Sequence, residues 1–233
     1  MSGIPLRIRC LVEGAGTFAL VFGGGAATLA AMLAAPTELG SISVAATYGT
    51  IMAVMCYLIG PISGAHINPA ITVAAYIGRR LKRSDMPAYI AAQLVGGLLA
   101  ATALRGLARL LLLTDAGHLM PLRYAPYLLQ HYSLFEVMSF EFVLCGLFSF
   151  IFLSATTQER FTGFSGVAVG CALAIVCYLS FPISSAAINP ARAISVVLFQ
   201  EDWTLNQLWL FCFVPVAGAL LGGLVYRATA AQN

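Results

Sequence analysis

Two asparagines, Asn68 and Asn189, each open the tripeptide Asn-Pro-Ala, at residues 68–70 and 189–191. An Asn directly before a helix turns its side-chain oxygen toward the orphan N–H groups of the first turn. Proline suits the first helical position because its missing N–H would be unpaired there. Asn68-Pro69-Ala70 and Asn189-Pro190-Ala191 therefore read as two capped helix starts, each leaving a side-chain NH2 free to donate. Two such donors brought together can hold the oxygen of a neutral molecule. The positive ends of two helix dipoles at the same point disfavour cations and protons hopping along a file of water. The expected chemistry is selective passage: conduction without proton leakage.

The tripeptides belong to a longer repeat. Residues 61–70 read Pro-Ile-Ser-Gly-Ala-His-Ile-Asn-Pro-Ala and residues 182–191 read Pro-Ile-Ser-Ser-Ala-Ala-Ile-Asn-Pro-Ala. Upstream, Cys56-Tyr57-Leu58 and Cys177-Tyr178-Leu179 keep the same register, so that every pair is 121 residues apart, about half the chain. A duplicated polar, proline-broken stretch between apolar segments points to a pore or binding site at the repeat interface.

Other polar residues fall near these motifs. Glu13 and Glu141 occupy analogous places in two apolar segments, and acids inside a membrane are functional candidates by default. A proton relay and a scaffold role are both open from the residues alone. Arg192 is the cation next to the second motif. His66, two residues before Asn68, reads as a pH switch or as a neutral lining residue, and the lining role is favoured. His118 and His131, with Asp115, have irregular spacing and no further ligand, so a metal site is not expected. The six cysteines (Cys10, Cys56, Cys145, Cys171, Cys177, Cys212) lie in or beside apolar runs with no CxxC pair, as small packing residues do. Gly23-Gly24-Gly25, Gly96-Gly97 and Gly222-Gly223 suit close helix approach. None is followed by the Lys-Ser/Thr of a phosphate loop.

Composition names the solvent. Of the 233 residues, 60% are hydrophobic and 9% charged, and the mean hydropathy is +0.90. A soluble domain carries about 25% charged residues, so this chain is expected to be integral to a lipid bilayer. A net charge of +3, spread over short loops, gives no continuous basic footprint for nucleic acid. No cleavable signal peptide is expected, because the first apolar run is too long and contains Glu13.

The elements that must position the motifs follow from length. A span needs about 20 apolar residues, and six segments qualify: about 8–31, 42–60, 87–111, 134–156, 164–181 and 204–227. Pro69 to Gly78 and Pro190 to Phe199 are too short to cross. Irregular backbone at membrane depth is tolerated only in protein or against a wet cavity, so each short stretch reads as a re-entrant half-helix. The predicted fold is an all-α membrane protein with six transmembrane helices and two half-helices in two inverted repeats, about 8–113 and 134–227, forming one channel domain over residues 1–233. Arg7, Arg9, Arg79, Arg80, Lys82, Arg83, Arg160 and Arg227 all fall on one side, which the positive-inside rule makes cytoplasmic, with both termini. Glu38, Asp115, Glu201 and Asp202 fall on the other, with Arg123 as a basic minority. Arg105 and Arg109 mark the outer end of the third span, where long stems snorkel.

These residues resemble the major intrinsic proteins, the aquaporin and aquaglyceroporin family, over essentially the whole chain. Further marks are Glu13-Gly14-x-Gly16-Thr17-Phe18, Ala92-Gln93-x-x-Gly96-Gly97 and Asn189-Pro190-Ala191-Arg192. The resemblance implies that Glu13 and Glu141 each accept hydrogen bonds from the backbone of a re-entrant loop. It also implies that Arg192 lines an outer constriction with Tyr48, Cys177 and Ala186. The water-selective pattern of the family has Phe at the place of Tyr48 and His at that of Cys177, so a wider, less polar filter is expected. The glycerol-conducting pattern is not met either, since Ala193 stands where that subgroup has Asp and Tyr48 where it has Trp. Water with small uncharged solutes (hydrogen peroxide, urea, ammonia, glycerol) is the expected cargo, with a strictly water-selective pore as the alternative. The resemblance further implies a homotetramer without cofactor or metal. Short loops and termini suit a bacterial inner membrane. A secondary transporter would need more midplane acids than Glu13 and Glu141, and no nucleophile–base pair marks an enzyme.

Overall fold

The structure, a computed structural model, describes residues 3–33, 38–111, 132–157, 163–184, 187–199 and 205–230. Eight helices run through them: α1 (Leu6–Leu33), α2 (Glu38–Ser63), α3 (Pro69–Ile77), α4 (Met86–Leu110), α5 (Leu134–Ala155), α6 (Ser165–Ser184), α7 (Pro190–Val197) and α8 (Leu208–Ala230). Six are long and apolar enough to cross a bilayer. The other two, α3 with nine residues and α7 with eight, are too short to cross. No strand occurs among the described residues. The expected fold class is the one observed.

Helix neighbours repeat across the two halves. The pairs α1–α2 and α1–α4 in the first half match α5–α6 and α5–α8 in the second, and α3 packs on α8 as α7 packs on α4. The half-helices thus exchange partners, each lying against the last span of the opposite half. The α2–α6 pair spans both halves, crossing at Gly49 and Gly170, which are counterparts in the repeat. A Cβ on Gly170 would stand 2.5 Å from the Gly49 carbonyl oxygen and 2.7 Å from Ala53 Cβ. Close backbone approach is how membrane helices gain packing energy when lipid supplies no hydrophobic drive.

Helix α2 runs to Ser63 and α6 to Ser184, a turn beyond the ends expected at the prolines. Pro61 and Pro182 lie inside these last turns. Hydrogen bonds from Ser63 and Ser184 to buried carboxylates hold the extra turn in place.

The basic residues tie one rim of the bundle together. Arg9 at the start of α1 meets Asp85, before α4, at 2.8 Å, and its guanidinium lies 5.7 Å from the centre of the Tyr89 ring. That hydrogen bond holds the Asp85 carboxyl below its usual range. Arg80, just past α3, donates to the Leu153 carbonyl at 3.0 Å, Thr156 Oγ1 at 2.7 Å and the Thr156 carbonyl at 2.6 Å. A cation is favourable at the C-terminal end of α5, where unpaired carbonyls gather.

Candidate functional site

The two half-helices meet at their N-termini. Asn68 caps α3, its Oδ1 accepting from the Ala70 N–H at 2.8 Å. Asn189 caps α7, accepting from Ala191 at 3.0 Å and Arg192 at 3.4 Å. The side-chain NH2 groups then cross between the halves. Asn68 Nδ2 donates to the Ile188 carbonyl at 3.1 Å, and Asn189 Nδ2 donates to the Ile67 carbonyl at 3.0 Å. Sequence reasoning left both NH2 groups wholly to a passing molecule. In the fold one hydrogen of each is committed across the junction, which fixes the amide plane and leaves one hydrogen per Asn to point elsewhere.

The loop before α3 is held in an unusual conformation. Gly64 has φ 99°, Ala65 53° and Ile67 42°. Positive φ is rare for a β-branched residue and persists only where its surroundings over-determine it. Glu13 supplies that restraint. Its Oε1 accepts from Ser63 Oγ at 2.6 Å and the His66 N–H at 2.9 Å. Its Oε2 accepts from the Ile67 N–H at 2.6 Å and Gln93 Nε2 at 2.8 Å. All four partners donate, the pattern of an acceptor-only carboxylate. Gln93 also donates to Thr72 Oγ1 at 2.9 Å, which joins the web to α3.

Glu141 stands in a different set of contacts. Its Oε1 accepts from Ser180 Oγ at 2.6 Å and from Ser184 Oγ, while Oε2 has no partner among the described residues. Among the described residues, only Glu13 accepts from the backbone N–H groups of a re-entrant loop, and residues 185–186 of the second loop lie outside them. With Gly96-Gly97 set against Gly222-Gly223, Ala219 stands at the place of Gln93, and the 121-residue register puts Ser180 at that of Ile59. Ser184 repeats the role of Ser63, and the Ser180 hydroxyl is the donor that the first half lacks.

Beside the crossed asparagines lies a cavity of about 20 Å³, which has room for one water. Leu20, Met52, Phe148, Leu173 and Ile188 give it apolar walls, and its polar groups come from Tyr48, His66, Asn68, Cys177, Asn189 and Arg192. The structure thus brings together residues far apart in the chain. Arg192, 3% exposed, donates from Nε to the Tyr48 hydroxyl at 2.8 Å, with its guanidinium 5.6 Å from the ring centre. Tyr48 lines the cavity from α2 and Cys177 from α6. The His66 ring lies 5.4 Å from Tyr89 and 6.1 Å from Phe152, and Nδ1 has no hydrogen-bond partner among the described residues. Ala186 lies outside the described residues, as do Asp115, His118 and His131.

Residues 4–226 match the family model described as "Major intrinsic protein". The chain belongs to the major intrinsic protein family. Among curated relatives of this major intrinsic protein, Aquaporin Z of Photorhabdus laumondii subsp. laumondii is 34% identical over 220 residues, covering 94% of this chain and 95% of the relative. Two solved structures share the fold. The X-ray structure of the aquaglyceroporin from Plasmodium falciparum has a TM-score of 0.76 at 20% identity, covering 98% of this chain and 96% of the other. An FNT family ion channel gives 0.61 at 16% identity, covering 97% and 89%.

Sequence reasoning undervalued three parts of this major intrinsic protein. Gln93 appeared only as a family mark, and nothing local showed that its amide reaches Glu13 across 80 residues. Arg80 reads in sequence as a loop charge, although it is half-buried and caps α5. Ser180 stands outside the repeated motif and gives no signal, while Ser184 is repeated with Ser63 but nothing local shows that either hydroxyl reaches a buried acid.

Proposed function

We propose that this chain is a passive channel for water and small uncharged solutes, with the two Asn-Pro-Ala tips and Arg192 excluding protons and cations. The crossed asparagine pair carries the reading. Two positive helix ends, each capped by an Asn with one amide hydrogen uncommitted, face one small cavity. A water held there turns its oxygen toward both amides and its hydrogens away, which breaks the orientation that proton hopping requires. Tyr48, Cys177 and Arg192, with Ala186, form the filter. His66 lines the inner side of the pore, and Glu13 and Glu141 support the loops.

A strictly water-selective pore is the second reading. The Tyr48–Arg192 hydrogen bond and a cavity with room for one water favour it. The bacterial relative is named an aquaporin and the parasite structure an aquaglyceroporin. The chain is taken to work as one channel domain in a bacterial inner membrane, as a homotetramer with cytoplasmic termini. Gathering Arg9, Arg79, Arg80 and Arg227 at one rim supports that orientation.

Proteoliposomes in a stopped-flow light-scattering cell test both readings. A mixed-solute channel shrinks fast and re-swells in glycerol and urea well above empty vesicles. Fast shrinkage with re-swelling no faster than empty vesicles establishes the water-selective pore.

A further inference from the structure

Glycine weakens a helix relative to alanine, so Gly24, buried in the middle of α1, calls for a reason. A Cβ built on it would overlap the Tyr48 ring at Cζ, Cε1 and Cε2. The hydrogen on Gly24 is therefore the floor on which the phenol rests. Tyr48 is 3% exposed, its hydroxyl is fixed by Arg192 Nε at 2.8 Å, and it lines the cavity of about 20 Å³. Neighbouring Gly23 faces a different side chain, Ile51 Cδ1, so the Tyr48 slot belongs to Gly24 alone among the described glycines.

We propose that Gly24 is a positioning residue for the filter: its missing side chain forms the slot that keeps the Tyr48 ring out of the conducting path and its hydroxyl on Arg192. Any side chain at 24 pushes the ring away from α1, toward the small cavity that Tyr48 lines. The inference rests on the channel reading above and adds to it a residue of α1 that has no polar atom to offer the permeant.

The test is a cycle of Gly24→Ala and Tyr48→Leu in proteoliposomes, measuring osmotic water permeability per folded channel. Gly24→Ala alone is expected to lower it about tenfold or more, as an overpacked ring closing a single-file pore would. In the Tyr48→Leu background the same substitution is expected to change nothing, because the ring that it displaces is gone. Equal permeability of Gly24→Ala and the parent overturns the inference, and so does an equal loss in both backgrounds, which would mean that α1 itself has shifted. Should Gly24→Ala fail to fold, recovery of folded protein in the double variant supports the slot, and failure of both overturns it. A parent protein that passes no more water than empty vesicles would sink the channel reading and this inference together.

Discussion

At the scale of single residues, Cys177 and Glu13 give the sharpest expectations. Cys177 is the one cysteine that faces the cavity, whereas Cys145 is turned to the Ile188 carbonyl at 3.7 Å. We predict that mercuric chloride removes most of the water permeability and that Cys177→Ser abolishes the block while leaving permeability near the parent value. A block that survives in Cys177→Ser would move the reactive thiol elsewhere. For Glu13, replacement by Gln turns one acceptor oxygen into an NH2 that faces N–H donors. Hydrogen bonds to a charged group contribute about 1.5–3 kcal/mol each, so Glu13→Gln should destabilise by roughly 3 kcal/mol and lower the melting temperature in detergent. An unchanged melting temperature would mean that the loop before α3 holds its positive φ angles without this carboxylate. The Asn-Pro-Ala motifs and the acids were legible in sequence because rare residue types recur at fixed spacing in apolar surroundings. The Tyr48–Arg192 bond was not, since it joins residues 144 apart through rotamers that only packing selects. The same holds for Gly24, whose partner is a ring on another helix.

At the scale of elements, span and half-helix positions were readable from apolar length and proline placement, while their ends were not. Sequence ends α2 and α6 at Pro61 and Pro182, but tertiary hydrogen bonds from Ser63 and Ser184 carry both helices a turn further. The contact between α1 and α4 carries a pH dependence of known sign. Arg9 holds the Asp85 carboxyl below its ordinary value, so the stabilisation is complete above the unfolded carboxylate value of about 3.9. It is lost as pH falls through the lower folded value. A rim pair of this kind is worth on the order of 1 kcal/mol or less. Melting temperature in detergent should therefore show no pH-dependent change from this pair between neutral pH and pH 5, and Asp85→Asn should remove part of the fall seen in stronger acid. An Asp85→Asn curve parallel to the parent at every pH would show that the pair does not couple α1 to α4.

At the scale of the whole molecule, opposed half-helices put two positive dipole ends and two asparagine donors beside one small cavity, with a guanidinium close by. The two halves are alike in framework and unlike in detail. Among the described residues Glu13 accepts from Ser63, Gln93 and two backbone N–H groups, whereas Glu141 accepts from two serine hydroxyls. The repeat made the overall plan visible from sequence, and the divergence between halves required coordinates. Passage of water without protons is the central claim, and one preparation tests it: proteoliposomes loaded with a pH-sensitive dye, followed for osmotic shrinkage and for dye response to an imposed pH step. The account predicts water permeability far above that of empty vesicles, with a proton flux equal to theirs. Water permeability no greater than in empty vesicles, or a proton flux that grows with the amount of protein, would contradict it.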